Sequence, residues 1–236
     1  MDTIIKFFTD WGNTLYSTFI EDGYYKYIIE GIGNTLIITL GALVIGFVIG
    51  VVIAITKYSA SKNKKLKFLD VICNLYLTLI RGTPVTVQLM ISFFIIFATS
   101  QNGVMVAMLT FGINSGAYTA EIIRSGIMSI DGGQTEAGRS LGLSSTQTMV
   151  TIVMPQAIKN ILPAIGNEMI ALLKETSVAG YLAVRDITKA GQLIQSQTYD
   201  PINPILLVAL IYLVLVIGLS KILNKFERKY RKSDKR

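Results

Sequence analysis

The chain has 236 residues, of which 51% are apolar and only 16% charged, well under the quarter usual in a soluble domain. With no histidine and one cysteine, Cys73, an intrachain disulfide and a Cys/His zinc site are both excluded. The net charge of +7 gathers in two basic clusters, Lys57 to Lys67 and Lys221 to Arg236, each directly after a long apolar run. That is the pattern of cytoplasmic segments in an integral membrane protein rather than of a nucleic-acid binder.

In chain order, residues 1–30 show no cleavable signal peptide, since Asp2 replaces a basic start and no clean apolar stretch follows. Ile4, Phe7, Phe8, Trp11 and Leu15 fall near one helical face. They predict an interfacial helix with Trp11 at headgroup level, with a loosely ordered leader as the alternative. Gly31 to Thr56 carries no charge over 26 residues, enough to cross a core of about 30 Å. Its Gly46-x-x-x-Gly50 spacing permits close approach of another helix. Five lysines and no acid follow between Lys57 and Lys67. Leu66 to Ile80 reads as an amphipathic interfacial helix. The second span starts near Thr83, with Thr83 as cap and Pro84 in the first turn, and runs to Ala98. One long kinked span competes with that reading. Arg81 is expected to anchor the cytoplasmic interface, and Cys73 to be a small buried hydrophobe.

Thr99 to Gly103 is a polar turn, and Val104 to about Ile130 is the third span, with Glu121 and Arg124 spaced to pair on one face. Gln134 to Pro155 is a polar segment between apolar runs. It reads as two short helices joined at Gly142, where a helix end favours positive φ. Asp131 caps the first with Gln134 as reciprocal partner, Ser144 caps the second with Gln147, and Pro155 stops or bends it. Lys159 to about Leu173 is the fourth span. Thr176 to Pro204 is an outer segment in which Ile187, Ala190, Gly191 and Ile194 keep helical spacing. Ile205 to Leu223 is the fifth span, before a basic tail. Five spans place the N-terminus outside and the C-terminus inside, in agreement with the charge bias.

Glu136-Ala137-Gly138, then Gly142, Ile152 and Met154-Pro155, resemble the E-A-A-x3-G-x9-I-x-L-P pattern of membrane subunits of bacterial binding-protein-dependent ABC importers. Glycine stands for the second alanine, and methionine for the leucine. Leu79 to Pro84 with Val87-Gln88-Leu89, Ala117 to Ile122, Pro155 to Pro163, Gly166-Asn167-Glu168 and Leu173 to Ser177 resemble the polar amino-acid branch of that family, from about Gly33 to Glu227. The resemblance implies an all-α membrane fold of the type I permease kind: five core spans over 31–225, a coupling region at 134–155, an extracytoplasmic segment 1–30 and a cytoplasmic tail 226–236. It implies partners as well: two ABC ATPase subunits, a second permease copy or paralogue, an extracytoplasmic solute-binding protein and the surrounding lipid of the cell membrane. The coupling contacts would come from Glu136, Ala137, Arg139, Gly142, Leu143 and Ser144. No G-x4-G-K-[ST] phosphate loop occurs. The chain is therefore expected to be no enzyme and to hold no cofactor, with ATP and Mg bound by the partner ATPase.

Glu168 is the leading substrate residue, an intramembrane carboxylate suited to an ammonium group. Asn167, Asn114, Ser115 and Tyr118 are its candidate companions, and the substrate is expected to be a polar amino acid, with cationic ones mildly favoured. Lys174 and Glu175 fall near the outer mouth. Arg185, Asp186 and Lys189 are expected to be exposed on a docking surface. Gly138 costs about 1 kcal/mol of helix propensity, so alanine there is expected to stabilise the helix. A self-contained secondary transporter or channel is the rival reading. It predicts an internal repeat, and none is evident.

Overall fold

The computed structural model describes residues 6, 9, 12–13, 16–182 and 184–232, with side chains except at 18, 62 and 229–232. Ile4, Phe7, Phe8, Trp11 and Leu15, which carry the interfacial-helix expectation, lie outside them. The described residues form helices and no strand.

Helix α1 spans Tyr25–Lys62. It starts six residues before the expected span and ends six after it, because apolar and helix-compatible residues continue in both directions. Its 38 residues measure about 57 Å, more than a hydrocarbon core needs. Ile37, Leu40, Val44, Val48, Val52 and Ile55 recur every three or four residues and are all exposed, a stripe fit for lipid. The opposite face meets helix α4, Gly103–Met128. A Cβ on Gly46 would lie 2.9 Å from Ser115 Cβ, and one on Gly50 would lie 2.6 Å from Thr119 Cγ2. The two glycines therefore bring α4 of the same chain into near-backbone contact.

Between them lies an elbow. Helix α2, Lys67–Gly82, and helix α3, Val85–Ile91, meet at a bend of 104°. A π-helical turn, Ser92–Ile96, extends α3. Pro84 causes the break: it cannot donate to the Ile80 carbonyl, and it drives Thr83 into an extended conformation (φ −119°, ψ 143°). Thr83 does not cap α3 as expected. Its hydroxyl turns back and donates to Leu79 O at 2.8 Å.

Among the described residues, three stretches are long and apolar enough to cross a bilayer: Tyr25–Ser61, Ser145–Leu182 and Asn203–Arg228. The α2–α3 pair qualifies as a fourth, broken one. Helix α4, expected as the third of five spans, is long enough at 26 residues but is not among them. The reason is its position. Thr110, Asn114, Ser115 and Thr119 are buried among neighbouring helices, where the helix at the centre can carry polar residues without exposing them to lipid.

Helices α5, Gly132–Ser140, and α6, Ser145–Thr148, form the polar connection. A π-helical turn, Met149–Val153, joins α6 to α7, Met154–Glu175. Pro155 thus neither stops nor breaks the chain; it sits in the first turn of α7, where its missing N–H costs little. A short 3-10 segment, Thr176–Leu182, leads to α8, Ile187–Thr198. Ile187, Ala190, Gly191 and Ile194 are all buried, as their spacing predicts. Ala190 and Ile194 pack with Phe19 and Ile28 beside α1. Asp186 departs from expectation: it is fully buried because it caps α8, accepting from Lys189 N at 2.7 Å. Lys189 is half-buried, and only Arg185 of that trio is exposed, 3.4 Å from Glu30. Helix α9, Asn203–Lys232, closes the described chain.

Candidate functional site

Two regions gather the residues singled out by the sequence. The first is an open cavity of about 540 Å³ walled by α2, α4 and α7, with Arg81, Tyr118, Glu121, Asn160, Ala164 and Glu168 in its lining. Glu168 lies 14 residues into α7, about 21 Å along it. Its Oε1 accepts from the fully buried Ser115 hydroxyl at 2.8 Å. That bond fixes the carboxylate from behind while the residue still faces the cavity. Tyr118 lies one turn beyond Asn114 on α4, and the Arg81 guanidinium sits over its ring, 5.9 Å from the centroid.

Arg81, at the end of α2, also lines this cavity. Glu121 lies 3.7 Å away, too far for a hydrogen bond, and that carboxylate is already held by Arg124 Nε at 3.1 Å to both of its oxygens. The expected Glu121–Arg124 pair is therefore present, and Arg81 forms a looser ion pair with the same carboxylate. The cavity carries a guanidinium on one wall and a carboxylate on another.

The remaining candidates are placed elsewhere. Asn114 is only 3% exposed, and its amide donates to Gln88 Oε1 at 3.0 Å, behind the wall. Asn167, about 100° round the helix from Glu168, faces a second cleft of about 650 Å³ between α7 and α9, along with Ser220 and Asn224. The cavity thus brings Glu168 and Tyr118 together, with Ser115 bonded to Glu168 behind the wall, and leaves Asn114 and Asn167 outside.

The second region is the polar connection. Glu136, Ala137 and Arg139 are exposed on α5. Gly142 has φ +85°, and the α5 end closes by Leu143 N to Gly138 O at 3.2 Å and Gly142 N to Arg139 O at 3.0 Å. Arg139 Nη1 also donates to Leu143 O at 2.7 Å. Ser144 forms the full reciprocal box with Gln147, at 3.2 and 2.8 Å. At the other end the reciprocity is missing. Asp131 accepts from Gly133 N at 2.6 Å, while Gln134 is engaged by Gln156 at 3.3 Å. Leu141, which the motif does not mark, is 81% exposed at the tip. Gly138 is buried because its own chain covers it: a Cβ there would lie 2.6 Å from Thr148 Cγ2 and 2.8 Å from Ile152 Cδ1.

Gln88 is the residue that the sequence reading passed over. Its amide nitrogen donates to Ile80 O at 2.8 Å, Thr83 O at 3.1 Å and Thr83 Oγ1 at 2.9 Å, while its oxygen accepts from Asn114. The signal was available in Pro84, which leaves Ile80 O in want of a donor.

The profile of the family described as binding-protein-dependent transport system inner membrane component matches residues 46–232. The arginine transport system permease protein ArtQ of Bacillus subtilis is 36% identical over 88% of this chain and 94% of its own. The L-cystine transport system permease protein TcyB of the same organism is 30% identical, covering 89% of each. A crystal structure described as an amino acid ABC transporter with histidines superposes with a TM-score of 0.81 at 39% identity, covering 89% of this chain and 96% of that one.

Proposed function

The chain belongs to the family of binding-protein-dependent transport system inner membrane components, ABC importer permeases with amino-acid carriers among its relatives, and from that premise we propose that its cavity holds an α-amino acid as a zwitterion, ammonium toward Glu168 and carboxylate toward Arg81. The observation that carries this reading is that Arg81 and Glu168 line one cavity, with Arg81 only loosely paired to Glu121 and hydrogen-bonded to neither carboxylate. Arginine and cystine, for which two relatives are named, differ in side chain and share only the α-ammonium and α-carboxylate. A guanidinium suits a carboxylate through paired N–H donors, and a carboxylate within a membrane suits a cation. Ser115 orients Glu168, and Tyr118 supports Arg81 from beneath. L-arginine, for which one relative is named, is the first substrate to try.

Release into the cytoplasm requires the cavity to change its accessible side. ATP hydrolysed on partner subunits supplies the free energy, and the compact tip formed by α5 and α6 receives it. The doubly bonded closure at Gly142 and the Ser144 box support that role, since a stiff element transmits displacement. Exposed Leu141, at the tip of a polar connection, offers an apolar contact to the ATPase. The N-terminus lies outside and the C-terminus inside, a second permease copy or paralogue completes the pathway, and a solute-binding protein delivers substrate to the outer segment.

The test is uptake of L-arginine and L-glutamine into proteoliposomes bearing the complete complex. Uptake is expected to need internal ATP and to persist when ion gradients are collapsed. Glu168→Gln is expected to lower it at least tenfold with normal assembly. Uptake driven by a gradient alone would contradict the ATP coupling, and unchanged uptake by the Gln variant would make Glu168 structural.

A further inference from the structure

We propose that Gln88 is a positioning residue for the substrate site, a side-chain substitute for the backbone donor that Pro84 removes, which holds Arg81 over the cavity. The inference rests on the zwitterion reading of that cavity.

The geometry begins with a deficit. In an unbroken helix the N–H of residue 84 would serve Ile80 O, and proline has none. A carbonyl left unpaired within protein and lipid is costly. Gln88 reaches back eight residues along the chain and donates to that carbonyl at 2.8 Å. The same nitrogen reaches Thr83 O and Thr83 Oγ1, so one side chain holds both sides of the break. Thr83 Oγ1 passes the link on to Leu79 O. The amide oxygen of Gln88 faces the other way and takes a hydrogen bond from Asn114 Nδ2 on α4.

That last contact gives the brace a consequence for the site. Asn114 and Tyr118 are four apart on α4 and share a face. Arg81, directly after the braced carbonyl, rests on Tyr118. Gln88 therefore sets both the direction in which α2 ends and its register against α4. A second tie, Tyr76 OH to Ile113 O at 2.5 Å, holds the middle of α2 against α4 but lies away from the elbow. Without Gln88 the elbow loses the donor to Ile80 O and its bond to α4. Arg81 lies 3.7 Å from Glu121 without a hydrogen bond to it, an ion pair that limits its distance but leaves its direction to the elbow. The role needs a side chain with donor and acceptor on one terminus at this reach, which glutamine provides and glutamate and leucine do not.

The experiment measures equilibrium binding to the assembled permease–ATPase complex of two probe pairs, L-arginine against L-argininamide and L-glutamine against its α-carboxamide. The wild-type complex is expected to prefer the free acid by about 10- to 100-fold, the span of one charge-assisted contact. Gln88→Leu and Gln88→Glu are each expected to cut that preference to about threefold or less, as is Arg81→Gln. The Gln88→Leu/Arg81→Gln double variant is expected to lose no more than either single one. General damage to the fold lowers affinity for acid and amide alike and leaves their ratio intact, so the ratio isolates positioning. A wild-type ratio retained in both Gln88 variants would overturn the proposal, and so would losses that multiply in the double variant. Equal wild-type affinity for acid and amide would instead refute the zwitterion site itself, and this inference with it.

Discussion

At position 138 two effects compete within one residue. Alanine would gain about 1 kcal/mol of helix propensity over glycine. Its Cβ would also come within 2.6 Å of Thr148 Cγ2 and 2.8 Å of Ile152 Cδ1. The isoleucine terminus can swing aside. Thr148 cannot do so freely, because it is β-branched and its hydroxyl donates to Ser144 O at 3.0 Å. Overpacking of this kind costs roughly 1–3 kcal/mol, so the clash outweighs the propensity gain. Gly138→Ala is therefore expected to lower the thermal stability of the purified complex by a few degrees, read as loss of the monodisperse peak on heating. A rise would show that the segment relaxes and that propensity governs. The same position marks the reach of sequence reasoning. The Ser144 box and the Gly142 turn were legible because they are local and obey fixed offsets. The packing of Gly138 was not, since nothing local says that Thr148 and Ile152 fold back over it. For Arg81 the limit is similar: its place at a helix end was visible, but not the cavity that α4 and α7 form beside it.

At the scale of elements, apolar runs and turn signals located every long helix, and errors fell at ends and elbows. Helix α1 overran its expected limits by six residues at each end. The α2–α3 break followed from Pro84, yet its angle depends on Gln88 and Asn114, which belong to different helices. Three polar residues on α4 looked like substrate ligands, whereas helix packing turned Asn114 toward Gln88 and Ser115 toward Glu168. The outer segment adds a titration. Asp186 lies outside the spans and is buried among Thr188, Tyr212 and the N-terminal turn of α8. Burial pushes its carboxyl up to about 6, against the opposing donation from Lys189 and Thr188. A folded-state value above the unfolded one means that the folded state holds the proton more tightly. The associated stability is full below about pH 4 and is lost as pH rises through about 6. The wild-type complex is thus expected to melt higher at pH 5 than at pH 7.5, and Asp186→Asn to flatten that slope. An identical slope in the variant would assign the dependence to other groups.

Across the whole molecule apolar residues cover the outside as well as the core. Apolar stripes on α1 and α9 face outward, as in Leu206, Leu210, Leu213 and Ile217, while the polar residues of α4 occupy the centre. Lipid accounts for the first, and hydrogen bonds between helices, Asn114 to Gln88 and Ser115 to Glu168, hold the second. Membrane class and family were legible from composition and motif spacing because both depend on residue type along the chain. The pairing of Arg81 with Glu168 across a cavity was not, because residues 87 apart meet there only through three helices. That pairing is the centre of the account, and the most direct measurement of it is competition against labelled L-arginine binding to the assembled complex by two analogues. One is agmatine, which lacks the α-carboxylate, and the other is 5-guanidinovalerate, which lacks the α-ammonium. The account predicts that each competes at least tenfold less well than L-arginine, that Arg81→Gln narrows the gap for agmatine alone, and that Glu168→Gln narrows it for 5-guanidinovalerate alone. Analogues that compete as well as L-arginine, or gaps that neither substitution narrows, would contradict it.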